Sequence, residues 1–523
     1  MACPLPGFLP ISGLTFSAPP GGSIQREERS MASSTRKNAM YNVAYRLFSV
    51  LLPLVTAPYL SRTVGTEGVG LYSHAWSVSY IFCLIGMLGL NDYGVRAIAR
   101  VRDDREKLDR TFSAIWQMQL LVAGATLLLW FGYVFLVAGE ERTIAFHLTM
   151  MSVSCLCSFD WCLMGLDIFR PIALRNTFVK SVAAVCVFLF VRGKDDLWIY
   201  AFVWSLATLA GNLSCVPGLR GKVRYRRVPM GESLKHLGPC AVLFISVMAV
   251  NIYRTMDKVM VSRLAGYAQN GLYENAEKII YCLSGFISAI GTVMMPKISH
   301  MQQKGETEAI RAHIDRSMEL ILCMVSGMAF GVAAVADRFS VLFYGEAFAE
   351  SGALMAPLAF TLILIGFANV IRTQWVLPQG RDSIFVKSVC SGAAVNLAVN
   401  ALLIPRMQAM GAVVGTLMAE GTVPLVQWLI LRKELPYGKF LAYAGIYAAA
   451  GTVMLLAVRL TGGLLPLTGW PGLAAQVAVG ILVYGAVTLL VWKLEGRTYL
   501  RGLGRKKTKS GATEAPADEK PES

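Results

Sequence analysis

Charged residues are scarce in this sequence, and their scarcity excludes several classes of protein. Asp, Glu, Lys and Arg make up 16% of the 523 residues, against about 25% in a typical soluble domain. Hydrophobic residues reach 55% and the mean hydropathy is +0.52, so too few polar residues are present to cover a water-soluble fold. The composition excludes a cytosolic enzyme, a secreted disulfide scaffold and a disordered regulator, and it predicts an all-α protein that crosses a membrane many times.

Metal-binding and nucleotide-binding patterns are also missing. There are five His residues, and the eleven Cys residues lie almost entirely in apolar runs rather than at the spacing of zinc ligands. We therefore predict no metal site and no cofactor, and we interpret the cysteines as small buried apolar side chains. No Gly-Lys-Ser or Gly-Lys-Thr phosphate loop occurs, which excludes an ATP-driven transporter. Coupling to an H⁺ or Na⁺ gradient, or downhill removal of the product, is then the expected source of energy.

Fourteen segments are apolar enough to cross about 30 Å of hydrocarbon as helices. They lie near residues 40–60, 70–90, 113–138, 144–164, 177–191, 197–217, 239–264, 271–296, 318–337, 351–371, 383–404, 408–430, 440–460 and 472–493. Lys and Arg concentrate in alternate loops, which the positive-inside rule assigns to the cytoplasm together with both termini. The net charge of +16 is thereby explained by topology and lipid headgroups, and we predict no nucleic-acid partner.

The chain repeats itself at an offset of 201 residues. The residues Ser61, Arg62, Gly65, Gly70, Leu71 and Tyr72 recur as Ser262, Arg263, Gly266, Gly271, Leu272 and Tyr273. A second match, at an offset of 207, places Lys180 on Lys387. Both copies begin with a span of the same direction, so the sequence predicts parallel repeats that form two six-helix lobes, related by an axis along the membrane normal.

The repeat and the loops set the expected domain boundaries. We predict a cytoplasmic tail over 1–37 with Met31 as an alternative start, an N-terminal lobe over 38–217, a basic linker over 218–236, a C-terminal lobe over 237–435, spans thirteen and fourteen over 436–493, and a tail over 494–523 that ends in disorder.

Three groups of residues carry a family resemblance. The groups are Pro58, Tyr59, Leu60, Ser61, Arg62, Gly65, Gly68, Gly70, Tyr72, Asn91, Tyr93, Gly94, Arg96 and Ala99; then Phe159, Asp160, Trp161, Gly165, Arg175 and Asn176; and then Asp257, Lys258, Tyr273, Glu274, Asn275, Ala276, Glu277 and Lys278. With them, most of residues 37–435 resembles the bacterial oligosaccharide flippase family of the multidrug/oligosaccharidyl-lipid/polysaccharide exporter superfamily.

The resemblance implies a transporter rather than an enzyme. The implied activity is translocation of undecaprenyl-diphosphate-linked oligosaccharide repeat units across the bacterial cytoplasmic membrane by alternating access, for capsule, exopolysaccharide or O-antigen. The implied partners are membrane lipid, the lipid-linked oligosaccharide and the polysaccharide assembly machinery, with the chain itself a monomer.

A diphosphate crosses hydrocarbon most easily beside cations that face a wet cavity. The basic residues that we select for this role are Arg46, Lys180, Arg254, Lys258 and Lys387. Arg254 and Lys258 share a helix face at i, i+4, and Asp257 can neutralise part of their charge. The alternative for each cation is snorkelling to the membrane interface.

Acidic and polar residues within the spans complete the candidate site. Asp257, Asp160 and Glu274 are candidate charge partners or coupling groups, although Glu274 can equally form a simple i, i+4 pair with Lys278. The candidate sugar contacts are Asn251, Trp375 and Asn396. Alternatively, the amide side chains form hydrogen bonds between neighbouring helices. Trp375, like Trp76, Trp161, Trp204 and Trp428, can instead belong to the aromatic belt at the membrane interface.

Three other functions remain open from the residues. A cation-coupled multidrug antiporter would favour intramembrane acids, whereas the intramembrane charge here leans basic. A lipid II flippase would differ only in the headgroup that it moves. A membrane glycan polymerase or ligase is less favoured, because every loop predicted outside is shorter than about twenty residues.

Overall fold

The first half of the chain folds into a bundle of helices. The computed structural model describes residues 24–168, 170–464 and 467–494, and over these ranges it contains helices and no strand. The helices of this half are α1 (Ile24–Met87), α2 (Leu90–Val101), α3 (Arg105–Gly132), α4 (Arg142–Ser154), α5 (Asp160–Gly165), α6 (Arg170–Phe190), α7 (Leu197–Leu213) and α8 (Val216–Leu219). A π-helical turn at Tyr133–Val137 extends α3.

The second half follows a short connecting helix, α9 (Met230–Leu234). Its helices are α10 (Leu237–Ala265), α11 (Tyr267–Gln303), α12 (Thr307–Tyr344), α13 (Ala349–Leu358), α14 (Thr361–Ile371), α15 (Asp382–Met407), α16 (Ala409–Leu431), α17 (Tyr437–Leu464) and α18 (Gly469–Leu494). A second π-helical turn, Arg372–Val376, extends α14.

All fourteen predicted spans fall on helices, and the expectation of an all-α polytopic membrane protein is confirmed. Ten helical segments of the described part of the chain are long and apolar enough to cross a membrane, or eleven if the pair Glu346–Leu358 and Thr361–Val376, bent by 41°, is one span. The number fourteen and the side of each terminus stay predictions. Helix α1 begins at Ile24, earlier than the expected start near residue 40, because good helix formers such as Gln, Arg, Glu and Met extend it.

Glycines at equivalent places turn the chain in the two repeats. Gly65 breaks α1 into two helical segments with φ 74° and ψ −176°, and Gly266 joins α10 to α11 with φ 92° and ψ 165°. Only glycine adopts such a conformation without strain. The same backbone turn at positions 201 residues apart supports the internal repeat read from the sequence.

The loops gather at two ends of the bundle. One end, which we name the Glu141 end, carries Gly65, Gly266, Gly345 and the loop with Glu141. At this end the Arg62 guanidinium donates a hydrogen bond of 2.6 Å to the Leu342 carbonyl. The opposite end, the Glu232 end, carries the basic linker.

The predicted linker over 218–236 is folded against the first lobe. The guanidinium of Arg110 on α3 donates two hydrogen bonds of 2.7 Å to the Glu232 carboxylate. These bonds hold the pKa of Glu232 below its usual range. The hydroxyl of Tyr93 lies 2.6 Å from Nδ1 of His236.

The last two helices form an appendage on α12. Helix α17 packs along α12, and α18 packs on both of them. Tyr447 of α17 donates to Glu319 at 3.0 Å, and Tyr484 of α18 donates to the Cys323 carbonyl at 2.6 Å. Spans thirteen and fourteen thus lie beside the second lobe.

Candidate functional site

A cluster of charged side chains lies between α10 and α11. Lys258 and Glu274 are each eight residues from Gly266, so the turn brings them to the same level of two antiparallel helices. The Lys258 ammonium lies 2.7 Å from Glu274 and 2.9 Å from Glu277, and Lys278 lies 3.4 Å from Glu274. Within a membrane such charges persist only when they are paired, and the cluster pairs them fully.

Asp257 is enclosed on the other side of α10. Its side chain is 0% exposed and accepts hydrogen bonds from Tyr273 at 3.0 Å, Asn400 at 2.5 Å and Thr416 at 2.9 Å. These partners come from α11, α15 and α16, so one carboxylate of α10 ties this helix to three others. Asn396 is also fully buried, and its Oδ1 accepts from Asn400 at 3.3 Å.

A small pocket opens beside this cluster. It is lined by Arg254, Asp257, Glu277, Tyr281, Thr416 and Glu420, among others. The Arg254 guanidinium lies 5.6 Å from the centre of the Tyr281 ring, within the range of a cation–π contact.

The charge in this region leans acidic rather than basic. Three cations, Arg254, Lys258 and Lys278, accompany the four acids Asp257, Glu274, Glu277 and Glu420. The prediction that intramembrane charge leans basic is therefore not visible in this pocket, because acids of α11 and α16 lie beside the cations of α10.

The cluster also joins the two lobes. Ser73 of α1 donates to Glu274 at 3.0 Å, and Tyr80 of α1 donates to Asn251 of α10 at 3.2 Å. Ser73 and Tyr80 are seven residues apart and share one helix face. That face of α1 therefore lies at the interface between the lobes.

Backbones of the two lobes touch near the Glu141 end. A Cβ on Gly70 would lie 1.7 Å from the Tyr267 carbonyl oxygen, and a Cβ on Gly271 would lie 2.0 Å from that of Thr66. Gly70 and Gly271, and likewise Thr66 and Tyr267, are repeat equivalents, so the contact is made twice around a pseudo-two-fold axis. This arrangement is the one expected for parallel repeats.

Glu141 closes the same end. Its buried carboxylate accepts hydrogen bonds of 2.9 Å from Tyr133 of the first lobe and Tyr267 of the second, and it pairs with Arg263. Nε2 of His74 lies 3.5 Å away. A further bond of 2.7 Å runs from Asn275 to Ser61. The lobes are sealed together at the Glu141 end.

The remaining predicted residues lie apart from this cluster. Arg46 is on α1, and its side chain is outside the described residues. Lys180 is half-buried on α6, and Lys387 is exposed on α15. The predicted roles of these three cations stay predictions.

Asp160 and Trp375 are held by other partners. Asp160 accepts from Cys215 at 2.9 Å and from Arg175 at 3.3 Å, which ties α5 to α6 and the connection after α7. Trp375 is 4% exposed, and its indole donates to Glu434 at 2.9 Å. In this conformation the Trp375 ring is enclosed, so a sugar has no access to it.

Sequence reasoning missed the residues of the seal. Glu141 follows a predicted span in a short loop, and nothing in its local sequence points to a partner in the other lobe. Arg263 and Gly271 were found only as members of the repeat. Both residues lie at the turn that recurs in each repeat, and this position could have predicted the contact. Residues near a pseudo-two-fold axis contact the equivalent region of the other repeat.

Comparisons with known proteins agree with this architecture. Among solved structures, the chain is similar to one described as "Lipid II flippase MurJ, inward closed conformation", with a TM-score of 0.71 and 15% identity over 88% of this chain and 99% of that one. It is also similar to an inward-facing multidrug resistance MATE family transporter, with a TM-score of 0.58 and 14% identity over 76% and 95% of the two chains. The fold is that of this class of multi-pass membrane transporters, and no enzyme is among these neighbours.

The sequence comparisons give the family. Residues 35–302, just over half of the chain, match the family described as "Polysaccharide biosynthesis protein", and the chain belongs to that family. It is similar to putative O-antigen transporters of Shigella dysenteriae, with 22% identity over 75% of this chain and 98% of the relative, and of Escherichia coli K12, with 22% over 77% and 97%. The resemblance noted in the sequence is confirmed.

Proposed function

We propose that this protein moves undecaprenyl-diphosphate-linked oligosaccharide repeat units from the inner to the outer leaflet of the bacterial cytoplasmic membrane. The observation that carries the proposal is the pseudo-symmetric contact between two lobes, with buried cations and acids beside it, in a chain of the polysaccharide biosynthesis family. The names of the similar O-antigen transporters support a glycan cargo.

The mechanism that we propose is alternating access. The positive-inside rule places the Glu141 end outside, so the present conformation is closed toward the outer leaflet. Release of cargo outward then requires the Gly70–Gly271 contact and the Glu141 hydrogen bonds to part. The diphosphate is expected to compete with Glu274 and Glu277 for Lys258, and to meet Arg254 in the adjoining pocket.

Energy coupling is proposed to pass through Asp257. This carboxylate is buried among hydroxyl and amide groups from three helices, so binding of H⁺ or Na⁺ there would alter how α10 packs on α15 and α16. Substitution Asp257→Asn is expected to leave substrate binding in place and to remove the response of transport to an ion gradient. The substitution Asp103→Asn, at a side chain that is 97% exposed, is the control.

The test is transport in proteoliposomes. The probe is the lipid-linked oligosaccharide that accumulates in a host strain lacking this gene, followed as it becomes accessible on the opposite face with and without an H⁺ or Na⁺ gradient. Protein-dependent movement of this probe supports the proposal.

Two other outcomes would replace it. Movement of lipid II alone would favour a lipid II flippase, which the similarity to that fold keeps open. Gradient-driven efflux of an organic cation without glycan movement would favour a multidrug antiporter, for which the pocket offers the acids Glu277 and Glu420.

A further inference from the structure

An aromatic pocket lies inside the first lobe. It is lined by residues of α1, α4 and α7. The rings of Tyr72 and Tyr200 meet edge to face with centroids 4.6 Å apart. Trp76 stacks on Tyr80 at 5.0 Å with an interplanar angle of 7°. The pocket therefore offers flat aromatic surface in a fixed arrangement.

The pocket adjoins the interface between the lobes. Trp76 lies on α1 between Ser73 and Tyr80, both of which bond to the second lobe. At 100° per residue, Trp76 is within about 60° of either of them around the helix. The indole of Trp76 is only partly buried. When the lobes separate, a group that enters beside Glu274 can therefore reach the Trp76 ring.

The second lobe has a counterpart with different chemistry. At the offset of 201 residues, Tyr80 corresponds to Tyr281 and Trp76 corresponds to Glu277, and both residues of the second lobe line the pocket that contains Arg254. Trp76 lines the first pocket and Glu277 lines the second, so the two repeats place pockets at equivalent positions on both sides of the interlobe contact. One pocket is charged, and the other is aromatic.

We infer that the aromatic pocket of the first lobe binds a sugar ring of the cargo while the charged pocket of the second lobe faces its diphosphate. The C–H groups on one face of a pyranose pack on the negative face of the Trp76 ring. The hydroxyls of Ser205 and Thr208, which also line the pocket, are hydrogen-bond partners for sugar hydroxyls. The inference rests on the proposed function and names the part of the cargo that this site binds.

The lining argues against other occupants. An organic cation needs an acid that is not already paired. No acidic side chain is among the described residues that line this pocket, and the nearby Glu274 is paired with Lys258 and Lys278. A lipid tail forms no hydrogen bond with the hydroxyl of Ser205. This hydroxyl is 1% exposed and donates to the carbonyls of His147 and Phe202, so its lone pairs can accept a hydrogen bond from a ligand. A sugar uses both the aromatic faces and the hydroxyls.

The experiment compares two probes on the purified full-length protein. One probe is the lipid-linked oligosaccharide from the gene-deleted host, and the other is undecaprenyl diphosphate without sugar. Replacing Trp76 by Ala is expected to weaken binding of the first probe about tenfold and to leave the second within about twofold, as for loss of one aromatic anchor. Trp76→Phe, which keeps a flat ring, is expected to lie between Trp76→Ala and wild type.

The control is Trp428→Ala, a partly exposed tryptophan on α16. Equal affinities of the Trp76→Ala and Trp428→Ala proteins for the glycan probe would overturn the inference. Equal losses for both probes in the Trp76→Phe protein, with its elution profile unchanged, would overturn it as well.

Failure of the proposed function gives a different pattern. If the wild-type protein moves no lipid-linked glycan but binds the same oligosaccharide released by mild acid, and Trp76→Ala removes that binding, the sugar site stands and the flippase proposal falls. If transport of the glycan probe is the same in wild type and Trp76→Ala, the flippase proposal stands and the sugar site falls.

Discussion

Glu141 is the residue through which the first lobe holds the second at one end of the molecule. Its carboxylate is 0% exposed and contacts groups of both lobes. Substitution Glu141→Gln keeps its size but removes the charge that Arg263 faces, and hydrogen bonds to charged groups contribute about 1.5–3 kcal/mol. We expect the seal to open more often in this variant.

The opening can be measured by labelling. A cysteine placed at Ser73, in a background without the native cysteines, should react faster with a membrane-impermeant maleimide added from the Glu141 end. The exposed neighbour Glu140→Gln is the control. Unchanged labelling in Glu141→Gln would show that this carboxylate does not hold the lobes together.

The pH response of the seal follows from the same residue. Burial raises the pKa of Glu141, but hydrogen bonds from its own backbone, Tyr267 and Tyr133 and the charge of Arg263 outweigh burial and lower the pKa from 4.5 to about 2. A depressed pKa means that the carboxylate stabilises the seal fully above pH 4.5 and loses this effect as the pH falls toward 2.

Between pH 5 and 8, therefore, Glu141 stays ionised in the sealed state. We expect the labelling rate of a cysteine at Ser73, divided by that of a cysteine at the exposed position Glu140 at the same pH, to be the same at pH 5 and pH 8. The ratio is needed because the reactive thiolate fraction of any cysteine rises with pH. A ratio that changes between pH 5 and pH 8 would contradict this expectation.

Gly70 and Gly271 let the backbones of two helices meet. An added methyl group would overlap a carbonyl oxygen, and overpacking of this kind costs about 1–3 kcal/mol. Gly70→Ala or Gly271→Ala should lower the yield of a cross-link between cysteines at Ser61 and Asn275 about tenfold. Gly124→Ala on α3, where the added carbon meets nothing within 4 Å, should leave the yield unchanged.

At the scale of helices, the sequence alone predicted most of the architecture. Every span that hydropathy predicted falls on a helix, because a helix in lipid must be apolar along its length, and the recurrence of Gly65 at Gly266 is part of the internal repeat. The hydrogen-bond partners of the charged side chains could not be predicted from the sequence. Asp257 was paired with Arg254 by local spacing, whereas its observed bonds come from Asn400 and Thr416 on distant helices.

Helices α17 and α18 offer a test of how the fold divides. Their contacts concentrate on α12, so a chain ending at Leu435 should keep the interlobe contacts. Because Tyr447 would no longer cover Glu319, the truncated chain should carry Glu319→Gln to avoid an exposed charge in lipid. We expect its Ser61–Asn275 cross-link yield to be within about twofold of the full chain with the same substitution. Loss of the cross-link in a protein that still inserts would show that α17 and α18 support the seal.

For the whole molecule, alternating access requires the two lobes to separate at the Glu141 end. Nδ2 of Asn275 lies 2.7 Å from Oγ of Ser61, so cysteines at the two positions can be bridged by oxidation or by a short bifunctional thiol reagent. Bridging is expected to stop transport, and reduction is expected to restore it. Single cysteine variants should be insensitive to both treatments. Full transport with the bridge intact would mean that these lobes do not part during the cycle.

The contact between Gly70 and Gly271 also bears on the origin of the chain. Gly70 packs on Tyr267, and Gly271 packs on Thr66, which is the repeat equivalent of Tyr267. The same contact is thus made twice, as in a dimer of identical subunits, where one surface patch meets its own copy. Such a geometry is inherited simply when a gene for a six-span homodimer is duplicated and fused. The fused chain could then give one half an aromatic pocket and the other half a charged one, a division of labour that identical subunits cannot achieve.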